Sequence, residues 1–213
     1  MSLFDHTRDC RLFNDASQTA LSIVKAVLAQ RGLTDVDADS IVDHTFRARE
    51  LCVQYRDSDR NFVQRLLEEE GIYYFFKHEE AKHTLVLANA IGAHKVPDGY
   101  DSVLYRPKER KAAAAEEPFW ELTARKSLYP GRHTVLSGYN PTRMRPKQMQ
   151  FGRATSEDLA TAYPFEHYDY PGGLSNPGEA QREAALLTQR RCATTVTVEA
   201  EGNTMGIGVG DLV

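Results

Sequence analysis

A chain of 213 residues is long enough for one large domain or two small ones, and surface scaling lets it bury about 70% of its unfolded surface. With 41% hydrophobic and 26% charged residues the composition is that of a globular protein, which excludes global disorder and a collagen-like fibre. The 26 basic and 30 acidic side chains give a formal charge of -4, so no basic excess is available to grip nucleic acid, and no stretch reaches the roughly 18 apolar residues of a membrane helix.

Met1 to Cys10 carries no apolar h-region of the kind that opens a secretion signal. Leu21, Val24, Val27 and Leu28 recur at helical spacing, which predicts an amphipathic helix from about Ser17 to Arg31. Asp15 is its expected N-cap with Gln18 three residues on, and Gly32 its left-handed stop. Leu51, Val53 and Tyr55 alternate with Cys52 and Gln54, a strand pattern. A second helix is capped by Asp57 or Ser58, packs Phe62, Val63, Leu66 and Leu67 inward, and closes at Gly71. Glu68, Glu69 and Glu70 crowd its last turn, where the carbonyl end of the helix dipole disfavours anions, so they require full solvation or a basic partner.

Ile72 to Lys77 and Thr84 to Ala88 read as strands joined by a polar hairpin loop, His78 to His83. The stretch Ala93 to Pro118, with the charged run Lys108 to Lys111 and the alanines Ala112 to Ala115, is the best boundary in the chain. Residues 1–107 therefore read as an α+β domain and 108–213 as a β-rich domain. In the second, Phe119 to Leu128 and His133 to Tyr139 flank Tyr129, Pro130, Gly131 and Arg132 and read as a hairpin. Asn176, Pro177 and Glu179 open a helix to about Arg191, and Thr194 to Ala200 alternate as a strand turned by Gly202 and Asn203. A further apolar run begins after Gly210 and Asp211 and stops at Val213, which suggests an excerpt cut at its C-terminal end.

Candidate chemistry is sparse. His78, Glu79 and His83 superficially resemble a zinc-protease motif, but that motif needs histidines four residues apart on a helix, and these are five apart between strands. Two surface histidines at a hairpin tip is the simpler reading, with no metal site. Glu166 and Asp169, with His167 between them, would suit a glycosidase only if their carboxyl separation allowed it, and the surrounding Tyr163, Phe165, Tyr168 and Tyr170 read more simply as a packed aromatic turn. Gly202, Gly206, Gly208 and Gly210 lack a phosphate-loop pattern and read as sites of close backbone approach. Arg143, Arg145 and Lys147 read as a solvated loop or a contact for an acidic partner surface. Cys10, Cys52 and Cys192 are odd in number and far apart, so they read as reduced, buried small hydrophobes. No catalytic, cofactor or metal residue is expected.

The run Cys52-Val53-Gln54-Tyr55-Arg56-Asp57-Ser58-Asp59, Asn61-Phe62-Val63, Arg65 to Phe76, and His83-Thr84-Leu85-Val86-Leu87-Ala88 resembles the VgrG family. These are the spike proteins of type VI secretion, related to hub proteins of contractile phage tails. Tyr168 to Gly173, and the region that follows to Leu212, resemble a later part of the same family. The resemblance implies an α+β domain followed by an antiparallel β-barrel domain of the tail-hub kind, truncated at its C-terminal end. It also implies a homotrimer in the full-length protein, seated on a tube of Hcp-like hexamers and carrying a needle that meets the target membrane, with effectors or adaptors as further partners. It implies a cytoplasmic protein later exported by the secretion machine, without an active site in this region.

Overall fold

The computed structural model describes residues 2–42, 46–107, 116–127, 132–137, 150–155, 166–169 and 177–213. They are α+β and divide into two compact units, residues 1–103 with 204–213, and residues 104–203.

The first unit is organised by the uninterrupted apolar run Leu85-Val86-Leu87-Ala88, the signature of a strand covered on both faces. It forms β5 (Lys82–Ala88), the middle strand of a sheet between β2 (Val36–Asp37), which runs parallel, and β4 (Tyr73–Glu79), which runs antiparallel. Leu85 and Leu87 face the main core, built from Ile23, Val24, Val27 and Leu28 of α1 (Ala20–Gln30) and Phe62, Val63, Leu66 and Leu67 of α2 (Asp59–Glu69). Val86 and Ala88 face the other way, with Phe75.

Both helices end as their glycines require. Gly32 and Gly71 have φ of +80° and +70°, and the amides of Leu33 and Ile72 donate back to the carbonyls of Leu28 and Leu67 at 3.0 and 2.8 Å. That is the Schellman arrangement, which satisfies orphan carbonyls at the helix end. The start of α1 differs from expectation: the cap is Thr19, in a reciprocal box with Ser22. Asp15 instead accepts from the Ser17 amide at 2.9 Å and hydroxyl at 2.7 Å, closing the turn before the helix. Ser58 caps α2, its hydroxyl accepting from the Asn61 amide. The acidic end of α2 finds the basic partner it needs, because the Arg49 guanidinium pairs with Glu69 at 2.5 Å and Glu70 at 3.1 Å.

The β4–β5 hairpin is tighter than the sequence suggests. The ladder runs on through His78↔His83 and Glu79↔Lys82, leaving only Glu80 and Ala81 as the turn. The last residues of the chain return to the same sheet. Asp211 bridges Lys95, the Leu212 amide donates to the Lys95 carbonyl at 3.0 Å, and Gly210, with φ +100°, lies flat against Phe75. A Cβ there would stand 2.3 Å from the ring, and one at Gly206 would stand 2.3 Å from the ring of Tyr100. These are the close approaches the alternating glycines predict.

In the second unit the described residues of the expected hairpin do not pair with each other. The strand β6 (Phe119–Lys126) pairs with the distant β10 (Val196–Gly202), and β7 (Arg132–Ser137) pairs with β8 (Gln150–Thr155) and β9 (Glu166–Asp169). Leu122 stands opposite Ala200 and Ala124 opposite Val198, while Arg125 reaches Glu199 at 2.9 Å, so side-chain matching outweighs the local turn signal. Tyr129 to Gly131 lie outside the described residues. The third helix, α3 (Pro177–Cys192), packs on β7 and β8 and buries the small residues Ala180, Ala184 and Thr188, one per turn. Among the described residues the strands of this unit form an open pair and an open three-stranded sheet, with β9 parallel to β7, and no closed barrel.

Candidate assembly interface

The block Cys52 to Asp59 forms β3 (Cys52–Ser58) and the first residue of α2, and β3 pairs antiparallel with β1 (Arg8–Phe13). Its alternation is opposite to the apolar pattern. Cys52 and Gln54 point into the core, and Val53 and Tyr55 point out. Gln54 turns inward because of Asp59, whose side chain is fully buried. Asp59 accepts from Gln54 Nε2 at 2.8 Å and Arg31 Nε at 2.6 Å, and it pairs with Arg11. Burial alone would raise this carboxyl; the bonds from Arg11, Gln54 and Arg31 outweigh it and hold the group well below the usual carboxylate range. One ionised acid at the start of α2 therefore ties together β1, β3 and the C-cap of α1. A buried ion is tolerated only when its lone pairs are filled in this way.

The inward turn of Gln54 leaves an apolar face outside. Leu12, 62% exposed, is paired with Val53, and Tyr55, 72% exposed, is paired with Cys10, with Leu51 exposed beside them. Cys10 is thus exposed rather than buried, whereas Cys52 is in the core and its thiol is pushed up by burial. Arg56 follows at the register shift opposite Asp9 and Cys10, with φ +52°. This is a β-bulge that places an arginine where glycine is the usual occupant. Such strain is found preferentially at functional positions.

The β6–β10 ribbon repeats the theme. Leu122, Val196 and Val198 are each more than half exposed, and Ala124 and Ala200 share their face. A two-stranded ribbon is marginal in water unless something covers one side. Single exposed apolar residues need no explanation, but grouped ones on a sheet face mark contact surfaces.

The candidate chemical groups are not brought into a reactive arrangement. Glu166 and Asp169 stand three residues apart on a strand, so they project to opposite sides of β9 and cannot flank one bond. The segment is a strand there rather than a turn, and His167 Nε2 meets Arg191 at 3.4 Å. Tyr163, Phe165, Tyr170 to Gly173 and Arg143 to Lys147 lie outside the described residues. His78 and His83 do come together, with their Nδ1 atoms 2.8 Å apart across the hairpin. Sequence spacing missed this because a two-residue turn sets residues five apart directly opposite each other when one more pair precedes it. Glu79 lies beside them in sequence, at the exposed end of β4. Among the described residues no group of three or more His, Cys, Asp or Glu is placed to hold a metal ion, and no helix is long and apolar enough to cross a membrane.

Comparison with known proteins agrees with the sequence resemblance. A family model described as the phage tail baseplate hub matches residues 1–213. The type VI secretion system spike proteins VgrG1a and VgrG1c of Pseudomonas aeruginosa are each 34% identical over 99% of this chain. The chain spans only 31% and 28% of their lengths. The crystal structure of the 43 kDa tail protein of prophage MuSo2 from Shewanella oneidensis superposes with a TM-score of 0.56 at 16% identity, over 89% of this chain and 50% of that one.

Proposed function

The chain belongs to the phage tail baseplate hub family, and from that membership we propose that it is hub material of a type VI secretion spike. Its work is mechanical and associative: copies assemble into a trimeric hub that joins an Hcp-like tube to a needle, and the whole is driven out by the machine after assembly in the cytoplasm. The observation that carries this reading is the pair of uncovered apolar faces, Leu12, Val53 and Tyr55 on one ribbon and Leu122, Val196 and Val198 on the other. A protein that worked alone would gain nothing from them, whereas a closed ring needs complementary patches on every copy. Barrel closure in the second unit belongs to the same proposal, with a neighbouring copy completing the wall. No catalysis is assigned to this region, because Glu166 and Asp169 face apart.

The backbone similarity to a prophage tail protein favours a second reading, a contractile-tail hub of the same build. Light scattering on the full-length protein that contains this chain tests the shared core of both. A trimer at micromolar concentration is expected, and a monomer would overturn the hub assignment. Loss of the tube protein from culture supernatants on deletion of the gene would select the secretion spike over the tail hub.

A further inference from the structure

His78 and His83 stand directly opposite on an antiparallel hairpin, where paired Cβ atoms are about 5 Å apart and two imidazoles can meet. Their Nδ1 atoms are 2.8 Å apart, and the His78 ring is stacked on Phe76 at 6.1 Å and 18°, which fixes its orientation. A hydrogen bond at this distance requires one ring to carry its proton on Nδ1 and the other to offer a bare Nδ1. We propose that this pair is a two-nitrogen chelate for a divalent copper or nickel ion.

The separation selects the metal. With metal–nitrogen bonds of about 2.0–2.1 Å, two nitrogens 2.8 Å apart subtend about 90° at the metal. A tetrahedral zinc ion would need them about 3.4 Å apart at the same bond length. Right-angled neighbours are what square-planar and octahedral ions require, and imidazole nitrogen suits copper and nickel. On binding, the ring protonated on Nδ1 moves that proton to its own Nε2, and both Nδ1 lone pairs turn to the metal, which sits off the line between them. Water fills the remaining positions, consistent with exposed residues at the hairpin tip.

The surrounding charge is permissive. Glu79 and Glu80 adjoin the pair in sequence, and the nearby Lys82 ammonium is drawn toward Asp35 at 3.5 Å. Lys77, the other cation of the hairpin, lies over the Phe75 ring at 6.0 Å. The His78 ring, stacked on Phe76, needs little ordering, which lowers the cost of binding. The inference does not depend on the hub reading.

Calorimetric titration of the chain with CuCl₂, NiCl₂ and ZnCl₂ tests it, together with electron paramagnetic resonance of the copper form. One equivalent of Cu²⁺ is expected, with two equatorial nitrogens, and Ni²⁺ is expected to displace Zn²⁺. Both His78→Gln and His83→Gln are expected to abolish this site while the other five histidines of the chain remain. Retention of the site by either folded variant, or a spectrum with fewer than two nitrogens, would overturn the proposal. If a variant misfolds, ring ¹⁵N signals of the unaltered chain decide: substoichiometric Cu²⁺ should broaden Nδ1 of both histidines first, and selective broadening elsewhere would reject the site.

Discussion

The two units solve the problem of burial differently. The first closes its core within one chain: large side chains such as Phe62, Ile23, Leu28 and Leu66 are fully buried between two helices and a sheet. In the second, the buried positions of α3 are the small residues Ala180, Ala184 and Thr188, and the β6–β10 ribbon exposes its apolar face. A chain whose one half is finished and whose other half presents unfinished surface is suited to assembly. On the hub reading proposed above, the finished half supplies rigidity and the unfinished half supplies contact. Even the first unit keeps one outward apolar face, on the β1–β3 ribbon, and Asp59 is what fixes it there.

The largest expected effect falls in the finished core. Phe62→Ala removes a ring stacked on Phe13 at 5.9 Å and should cost about 3–5 kcal/mol by denaturant titration, whereas Val198→Thr on the exposed ribbon should change the unassembled chain by less than about 0.5 kcal/mol. Equal effects would erase the contrast between the units.

Asp59 comes next. Asp59→Asn takes from Arg11 and Arg31 their buried anion, leaving them only the more exposed Asp9 carboxylate at 2.9 and 3.3 Å, and should destabilise by about 3 kcal/mol at neutral pH. Because the folded state holds this carboxyl below its unfolded value, the stabilisation is complete above about pH 4 and is lost as pH falls through and below the carboxylate range. Stability followed against pH should therefore fall more steeply on acidification in the parent than in Asp59→Asn.

Gly210→Ala sharpens the role of the returning segment. The added methyl group meets Phe75 and the backbone has φ +100°, so a loss of about 1–3 kcal/mol is expected, read as earlier proteolytic release of residues 204–213. The smallest effect has the opposite sign. Arg56→Gly relieves a left-handed non-glycine residue and should stabilise the chain by about 1 kcal/mol in thermal melts, and a matching loss of assembly would show that the strained arginine serves contact.

Much of the first unit is legible in the sequence because its signals are local. Gly32 and Gly71 mark helix ends, Phe62 to Leu67 mark a buried face, and the apolar run of β5 marks a central strand. Partner choice among strands was not legible. Tyr129, Pro130 and Gly131 suggest a hairpin, yet β6 joins β10 some 70 residues on, through side-chain matching that no local pattern encodes. The facing of β3 was hidden for a related reason. Val53 and Tyr55 look like core residues until the buried Asp59 is known to need Gln54 on the inner side. The histidine pairing is hidden because nothing in the polar stretch His78 to His83 signals that only Glu80 and Ala81 form the turn. Family membership was legible throughout, since the block from Cys52 to Phe76 encodes β3, α2 and most of β4, the architecture of the finished unit.

Hydrogen exchange measured by mass spectrometry, comparing this chain alone with the same residues in the full-length assembly, tests the central claim most directly. The account predicts slow exchange in β5 in both forms, and exchange in residues 196–202 of β10 that is fast in the isolated chain and strongly slowed in the assembly. Equal protection of β10 in the two forms would contradict it, because the ribbon would then be complete without a partner.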